Sequence, residues 1–549
     1  MSPRRLPGAA LCPLDLAIGG AVCLASILLL IALMDSRVLP YDEGLILYGA
    51  ARVAGGDVPY RDFWTLYGPA SFYVLGGLFR FFGESVLVGR SFDIVCRSAI
   101  IVLAYLLARR LVSGGIALAA ALASLFILIA AQSYEAPIFP SLACALLAIW
   151  IVARAMSAER PQLLSASAGV AVGVAVAFRN DIGIYAFIAV AFAWIGARHS
   201  NGLESQGPSK TIVPFVLGCA TVVLSMVALL IAAVPLSDLY QDLVRIPLEV
   251  YAPYRRLPFP IIEPVSTAIK LRSLSPLVQY IVYVPPIVGV VASVYAVRLR
   301  QGRTSMATRA DFTLFEMLVV LELLLILKGA VRVSLLHMAP ALVAAAIVSA
   351  VLSARFARSR KRTLLLVLVV ALAAKITVEP VAFIGSIDRL RVFAAHALDD
   401  EAMAGCEPSS IARLRCFRVD ADLHAVIDYI DRNTSSDEPI YVGSTRHDKL
   451  FVNNVELYFL SGRRSSTKWH DLHPGVQTTL PIQQAMIDEF RARPPALVVL
   501  NRFWDRVREP NASATSSGVT LLDDWLRSHY ALAFVRGTYV VMKPRVPVS

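Results

Sequence analysis

Long apolar runs recur along the chain, at 12–34, 91–108, 113–131, 137–153, 163–178, 182–197, 211–233, 277–297, 312–328, 336–353 and 363–385. A membrane-crossing helix needs roughly 20 predominantly apolar residues, so the pattern predicts about eleven transmembrane helices, several at the short end of the range. The run ASFYVLGGLFRFF at 70–82 is short and carries Arg80. It is expected to lie along the outer interface as an amphipathic segment rather than to cross.

After about 386 the periodicity changes. Helical patterning at 420–432, a strand-like PIYVG at 439–443, a helix at 483–492, the apolar ALVVL at 496–500, a helix at 519–529 and strands at 531–536 and 538–543 predict a soluble α/β domain. The chain thus divides into a multi-span membrane domain, 1–385, with a first outer loop at 35–90, and an α/β domain, 386–549. Polar stretches at 200–210 and 508–518 read as linkers; no internal repeat and no GxGxxG loop is found.

Composition agrees. The 549 residues are 57% hydrophobic and only 17% charged, too apolar for an ordinary soluble enzyme. The net charge of +12 comes largely from basic clusters between apolar runs, among them Arg109-Arg110, Arg154 and Arg160, Arg298 to Arg309, and Arg355 to Arg362. Taking 70–82 as interfacial, these clusters fall on alternate loops, as the positive-inside rule requires. That places the N-terminus in the cytoplasm and the α/β domain outside it, in a multi-pass protein of the plasma (inner) membrane, and it disfavours nucleic acid as a partner. The first apolar run reads as a retained signal anchor. Five cysteines lie in or beside apolar runs, while Cys406 and Cys416 could close a short loop by a disulfide if the C-terminal part is extracytoplasmic. No metal-ligand spacing is present among the cysteines.

On this topology the chemistry collects on the outer side. Asp42-Glu43 directly follows the first span and precedes GLILYGAARVA, which Gly55-Gly56 ends; the pair is either a helix cap or a source of a catalytic base. Glu135 stands in AQSYEAPIFP, where a carboxylate near membrane depth is costly enough to be functional or paired. Arg179-Asn180-Asp181 interrupts a long apolar region, and Lys328, Arg332 and His337 surround the outer ends of two spans. These cations suit either a lipid phosphate or interfacial anchoring. In the soluble part, His447-Asp448 and His470-Asp471-x-His473 follow no known ligand pattern and read as solvated loop residues.

The order of these features resembles the glycosyltransferase C superfamily, in its polyprenyl-phosphate-sugar-dependent branch: the aminoarabinose transferases of lipid A, the galacturonosyltransferases of lipopolysaccharide and the protein O-mannosyltransferases. The residues that carry it are YDEG, the GG-x-x-PYRDF segment, YGP with its amphipathic continuation, Arg90 opening the next span, LARRL closing it, and SYEAP. The match is good over about 12–200 and general beyond. It implies a cell-envelope enzyme that moves a hexosyl or pentosyl group from a polyprenyl-phosphate donor to a hydroxyl of a lipid, glycan or protein, by inverting attack at the outer membrane face. It also implies catalytic roles for Asp42, with Glu43 as rival base, and for Glu135. Donor phosphate or sugar contacts are implied for Arg61, Asp62, Tyr67, Arg179, Asp181, Lys328, Arg332 and His337. Where the aminoarabinose transferases have a lysine before the first-loop proline, this chain has Tyr67-Gly68-Pro69; Arg179, standing where related chains often place a lysine, could supply the missing positive charge. Some superfamily members use a divalent metal and others none, and the sequence leaves this open. Two other readings use the same features: a non-catalytic transporter or flippase of a lipid-linked or small solute, and a structural subunit of an envelope assembly. The lack of a repeat and the one-sided acids weigh against the first.

Overall fold

A computed structural model describes residues 13–131, 133–199, 208–262, 279–356, 386–397 and 410–545. The membrane part comprises α1 (Pro13–Ala32), α2 (Asp42–Ala54), α3 (Ala70–Phe82), α4 (Val86–Leu111), α5 (Gly114–Ala130), α6 (Ile138–Ala155), α7 (Pro161–Phe178), α8 (Asn180–His199) and α9 (Pro208–Ala233). After a helical segment at 236–255 come α10 (Val284–Arg300), α11 (Arg309–Val331) and α12 (Leu335–Phe356). Among the described residues seven helices are long and apolar enough to cross a membrane. Helices also cover the shorter runs at 113–131 and 182–197, and α11 covers 312–328 despite carrying Asp311, Glu316, Glu322 and Lys328. The run at 363–385 lies outside the described residues.

Local chemistry sets the boundaries. Ser85 opens α4 by accepting the Val88 amide at 3.3 Å, and Pro161 occupies the first position of α7, where its missing N–H costs nothing. Small residues set the packing of α7 on α9. A Cβ on Gly169 would stand 1.9 Å from the Phe215 carbonyl oxygen, and one on Gly218 2.1 Å from that of Ala166. Such close backbone approach is how helices associate where lipid removes the hydrophobic drive. α3, the short run expected at the interface, is amphipathic in its packing: it buries Phe72, Leu75 and Phe79 and leaves Tyr73, Phe81 and Phe82 exposed.

The C-terminal part carries a sheet of β1 (Ile440–Gly443), β2 (Leu497–Asn501), β3 (Tyr530–Arg536) and β4 (Tyr539–Pro544), in the order β1-β2-β4-β3. β1 and β2 are parallel, with Ile440 opposite Leu497, and the other pairs are antiparallel. Around it lie α14 (Ala421–Asn433), α15 (Glu456–Ser461), α16 (Leu480–Ala492) and α17 (Leu521–His529), with α13 (Ser386–Ala397) preceding. The helix α15 was not expected from the sequence. Cys416 is disulfide-bonded; Cys406 lies outside the described residues.

The two parts meet on α2. A Cβ on Gly44 would approach the Glu456 amide nitrogen to 2.4 Å, so only glycine lets α2 lie against α15. Tyr48 stacks on Tyr458 with ring centroids 4.9 Å apart and accepts the Ser465 amide at 2.7 Å. The Trp64 amide donates to the Lys468 carbonyl at 2.9 Å.

Directly before Gly44, Glu43 is fully buried against Arg90, also fully buried. The guanidinium donates to both carboxylate oxygens, at 2.6 and 2.9 Å, and to the carbonyls of Asp35 and Arg37. Glu43 also accepts the Leu39 amide at 2.7 Å, while the rings of Tyr134 and Phe417 cover the arginine. Removing one member of a buried pair strands the other charge, at about 3–5 kcal/mol, whereas replacing both by apolar groups costs far less. Arg90→Ala is therefore expected to lower the melting temperature and yield of detergent-solubilised protein sharply. The double change Glu43→Leu with Arg90→Met should recover much of that loss, measured by thermal melts of both variants.

Candidate active site

Asp42 is the first residue of α2 rather than its cap, and it points away from the buried pair that its neighbour makes. Its carboxylate accepts from the Tyr67 hydroxyl at 3.4 Å. Burial raises its pKa above the ordinary carboxylate range; Arg255, the Tyr67 bond, Arg332 and Arg179 oppose that rise. The carboxylate thus sits within the field of three guanidinium groups from three elements.

Each cation is held by its own scaffold. Arg179 links α7 to α8 and pairs with Asp181 at 2.9 Å. Arg332 follows α11, donates to both oxygens of Glu509 at 2.7 and 2.6 Å, and donates to the Arg255 carbonyl at 2.9 Å. Arg255 is buried at the end of the helical segment 236–255, where its Nε meets His473 Nε2 at 3.2 Å and its Nη2 donates to the Phe451 carbonyl at 2.8 Å. Its direct hydrogen bonds therefore go to neutral groups, leaving its charge for whatever anion enters. Lys328 donates to the His337 carbonyl at 3.2 Å, and His337 Nδ1 meets Ser334 Oγ at 2.8 Å.

The α/β domain supplies the remaining wall. Tyr41 donates to Asp471 at 2.8 Å, and burial pushes the Asp471 carboxyl up to about 7, against the Tyr41 bond and Arg255. Burial, together with Arg255, holds His473 well below its ordinary value. The expectation of solvated loops at His447, Asp448, His470, Asp471 and His473 is corrected: all five are buried. The cause is tertiary: Tyr48, Phe63 and Trp64 of the loop region 35–90 pack on His470 and Trp469, while His447 and Asp448 are held within the domain by Asp523 and Tyr441 and by Arg446 and Ser516.

The other candidates are distributed as follows. Glu135 adopts a positive φ of 55° and is buried, without a hydrogen-bond partner on either oxygen. Burial, then the Glu43 charge, raises its carboxyl well above the ordinary range, with Arg90 and Arg97 opposing. It therefore belongs with the buried Glu43–Arg90 pair. Arg61 and Asp62 pair with each other at 2.7 Å, next to a network joining Arg52, Asp57 and Arg464. They are not among the charges that act most on Asp42. Among the described residues no group of three or more His, Cys, Asp or Glu side chains converges as a metal site. Sequence reasoning missed Arg255, Tyr41, Asp471 and Glu509. The signal for Arg255 was its place in YAPYRRLPFP, an arginine pair within an aromatic and proline-rich stretch.

Residues 67–231 match the family model of the dolichyl-phosphate-mannose-protein mannosyltransferases. The whole chain superposes on the crystal structure of ArnT from Cupriavidus metallidurans bound to undecaprenyl phosphate, with a TM-score of 0.56, 14% identity, and coverage of 96% of this chain and 97% of that one. The apo state of the same protein gives a TM-score of 0.56 at 13% identity, with the same coverage. A search of curated proteins finds no match. The chain shares the fold of ArnT, a multi-pass membrane architecture with a small C-terminal sheet. Over 67–231 the sequence carries the mannosyltransferase pattern, and across the rest of the chain the likeness is one of fold.

Asp471 yields a stability prediction. Its folded pKa lies above the unfolded value, so its stabilising contribution is full below about pH 4 and is lost as pH rises through about 7. Asp471→Asn, which can still accept from Tyr41, is expected to gain melting temperature relative to the wild type between pH 5 and pH 8, read from melts across that range.

Proposed function

We propose that the protein transfers a sugar from a polyprenyl-phosphate donor to a hydroxyl acceptor at the extracytoplasmic face of the plasma membrane, with Asp42 as general base. The observation that carries this reading is Asp42 standing in the field of Arg255, Arg332 and Arg179. A carboxylate beside fixed cations is what attack at an anomeric carbon with phosphate departure requires. The mannosyltransferase pattern over 67–231 and the likeness to a protein crystallised with undecaprenyl phosphate support the class of donor.

In the mechanism, the donor phosphate lies against Arg255 and Arg332, with Arg179, Lys328 and His337 bordering the same space. The acceptor hydroxyl approaches the anomeric carbon from the side opposite the phosphate. Asp42 takes its proton as the new glycosidic bond forms and the bond to the phosphate oxygen breaks, and the lipid phosphate leaves carrying the electron pair. Tyr67 holds Asp42 in position. Glu43, Arg90 and Glu135 act beneath it as positioning residues that fix the start of α2.

The test is transfer of labelled sugar from a polyprenyl-phosphate pool in membranes. Asp42→Asn is expected to lose at least 100-fold in transfer while keeping wild-type abundance and melting temperature; unchanged transfer would overturn the assignment. Since burial raises the pKa of the base, activity should climb with pH through a value above the ordinary carboxylate range. Arg255→Ala should weaken donor use more than Arg61→Ala, seen as a rise in donor KM.

A further inference from the structure

The stretch EPNASATSSG, 509–518, reads as a linker from sequence, yet it is fastened at both ends. At one end Glu509 grips Arg332, and the Asn511 amide donates to the Arg256 carbonyl at 3.1 Å. At the other, the Ser517 amide donates to the Asp448 carbonyl at 2.8 Å, and the Ser517 hydroxyl to the Thr478 carbonyl at 2.8 Å. Between these anchors the strap arches over a cavity of about 230 Å³.

Tyr254 forms one wall, Leu450 and Pro474 line it with apolar surface, and Thr478, Ser513 and Thr515 bring hydroxyls. The Tyr254 ring is pressed against Gly475, where a Cβ would come within 2.5 Å of it. The ring is thereby fixed as a flat platform. Tyr254 directly precedes Arg255, and the strap begins at the residue that holds Arg332. The cavity is therefore built from the same two backbone segments that set the proposed phosphate-binding arginines.

An aromatic ring held in place with hydroxyls around it, in a groove of about 230 Å³, suits a single sugar ring, which presents C–H groups on one face and hydroxyls at its edge. We propose that this groove binds a sugar ring of the acceptor, with Tyr254 as its platform and Thr515 and Ser513 contacting its hydroxyls. The inference rests on the glycosyltransferase reading and names the acceptor as a glycan-bearing molecule. It makes Tyr254 a specificity-determining residue for the acceptor, distinct from the arginines that meet the donor.

The test uses the full chain in detergent micelles and the methyl glycosides of glucose, galactose, mannose and glucosamine as probes, read by saturation-transfer NMR. At least one glycoside is expected to show transfer from the protein to its ring protons. Tyr254→Ala should reduce that signal at least fivefold and Tyr254→Phe should keep it. Thr515→Trp, a change at an exposed position that fills the groove, should abolish it without altering the melting temperature. Asp42→Asn should bind the glycoside like the wild type, so a failure of the transfer chemistry is told apart from a failure of the groove. No signal with any of the four probes, or a signal indifferent to both Tyr254→Ala and Thr515→Trp, overturns the proposal.

Discussion

The buried pair of Glu43 and Arg90 is the constraint on which the rest of the candidate site depends. Two charges removed from water are tolerable only when each is fully bonded, and here the bonding partners come from separate parts of the chain. The carboxylate takes the arginine and the Leu39 amide; the guanidinium also takes the carbonyls of Asp35 and Arg37 and lies between the rings of Tyr134 and Phe417. The end of the first span, the start of α2, the head of α4, the turn before α6 and the entry to the α/β domain are thereby tied to one point. Successive residues on a helix point about 100° apart, so fixing Glu43 inward fixes Asp42 toward the arginines and Gly44 toward α15.

The site that results is an assembly of parts that are each modest alone. Arg179 and Arg332 carry acidic partners that hold their positions, Asp181 and Glu509, and Arg255 is bonded through neutral groups. Positive charge is therefore spaced around Asp42 and fixed before any ligand arrives. Preorganised charge of this kind acts without the reorganisation that water would demand. The α/β domain takes part directly, because His473 orients Arg255 and Glu509 orients Arg332.

Much of this was legible in the chain. Hydropathy marked the helices because membrane burial imposes a long, one-dimensional pattern, and the shortness of 70–82 set α3 apart from the longer runs. Asp42 and Arg179 could be singled out because charged residues stand out against apolar flanks. What could not be read was which of two adjacent acids faces inward, since that depends on where Arg90 arrives from a distant helix. Arg255 and the run His470 to His473 were equally hidden. Their burial exists only because two outer segments close over the domain, and local sequence carries no record of that closure. The strap at 509–518 looked like a linker for the same reason: its serines are polar, and the bonds that fix them reach Arg256, Asp448 and Thr478.

Gly44 carries a consequence for how such proteins diversify. Because its missing side chain lets the backbone of α15 seat directly on α2, the C-terminal domain and the opening turn of that helix share one surface with no adjustable side chain between them. A domain exchanged from a relative would have to bring its matching α2 with it. The unit of inheritance across this architecture is then a discontinuous block, made of the first outer helix and a domain some four hundred residues away, rather than either half of the chain alone.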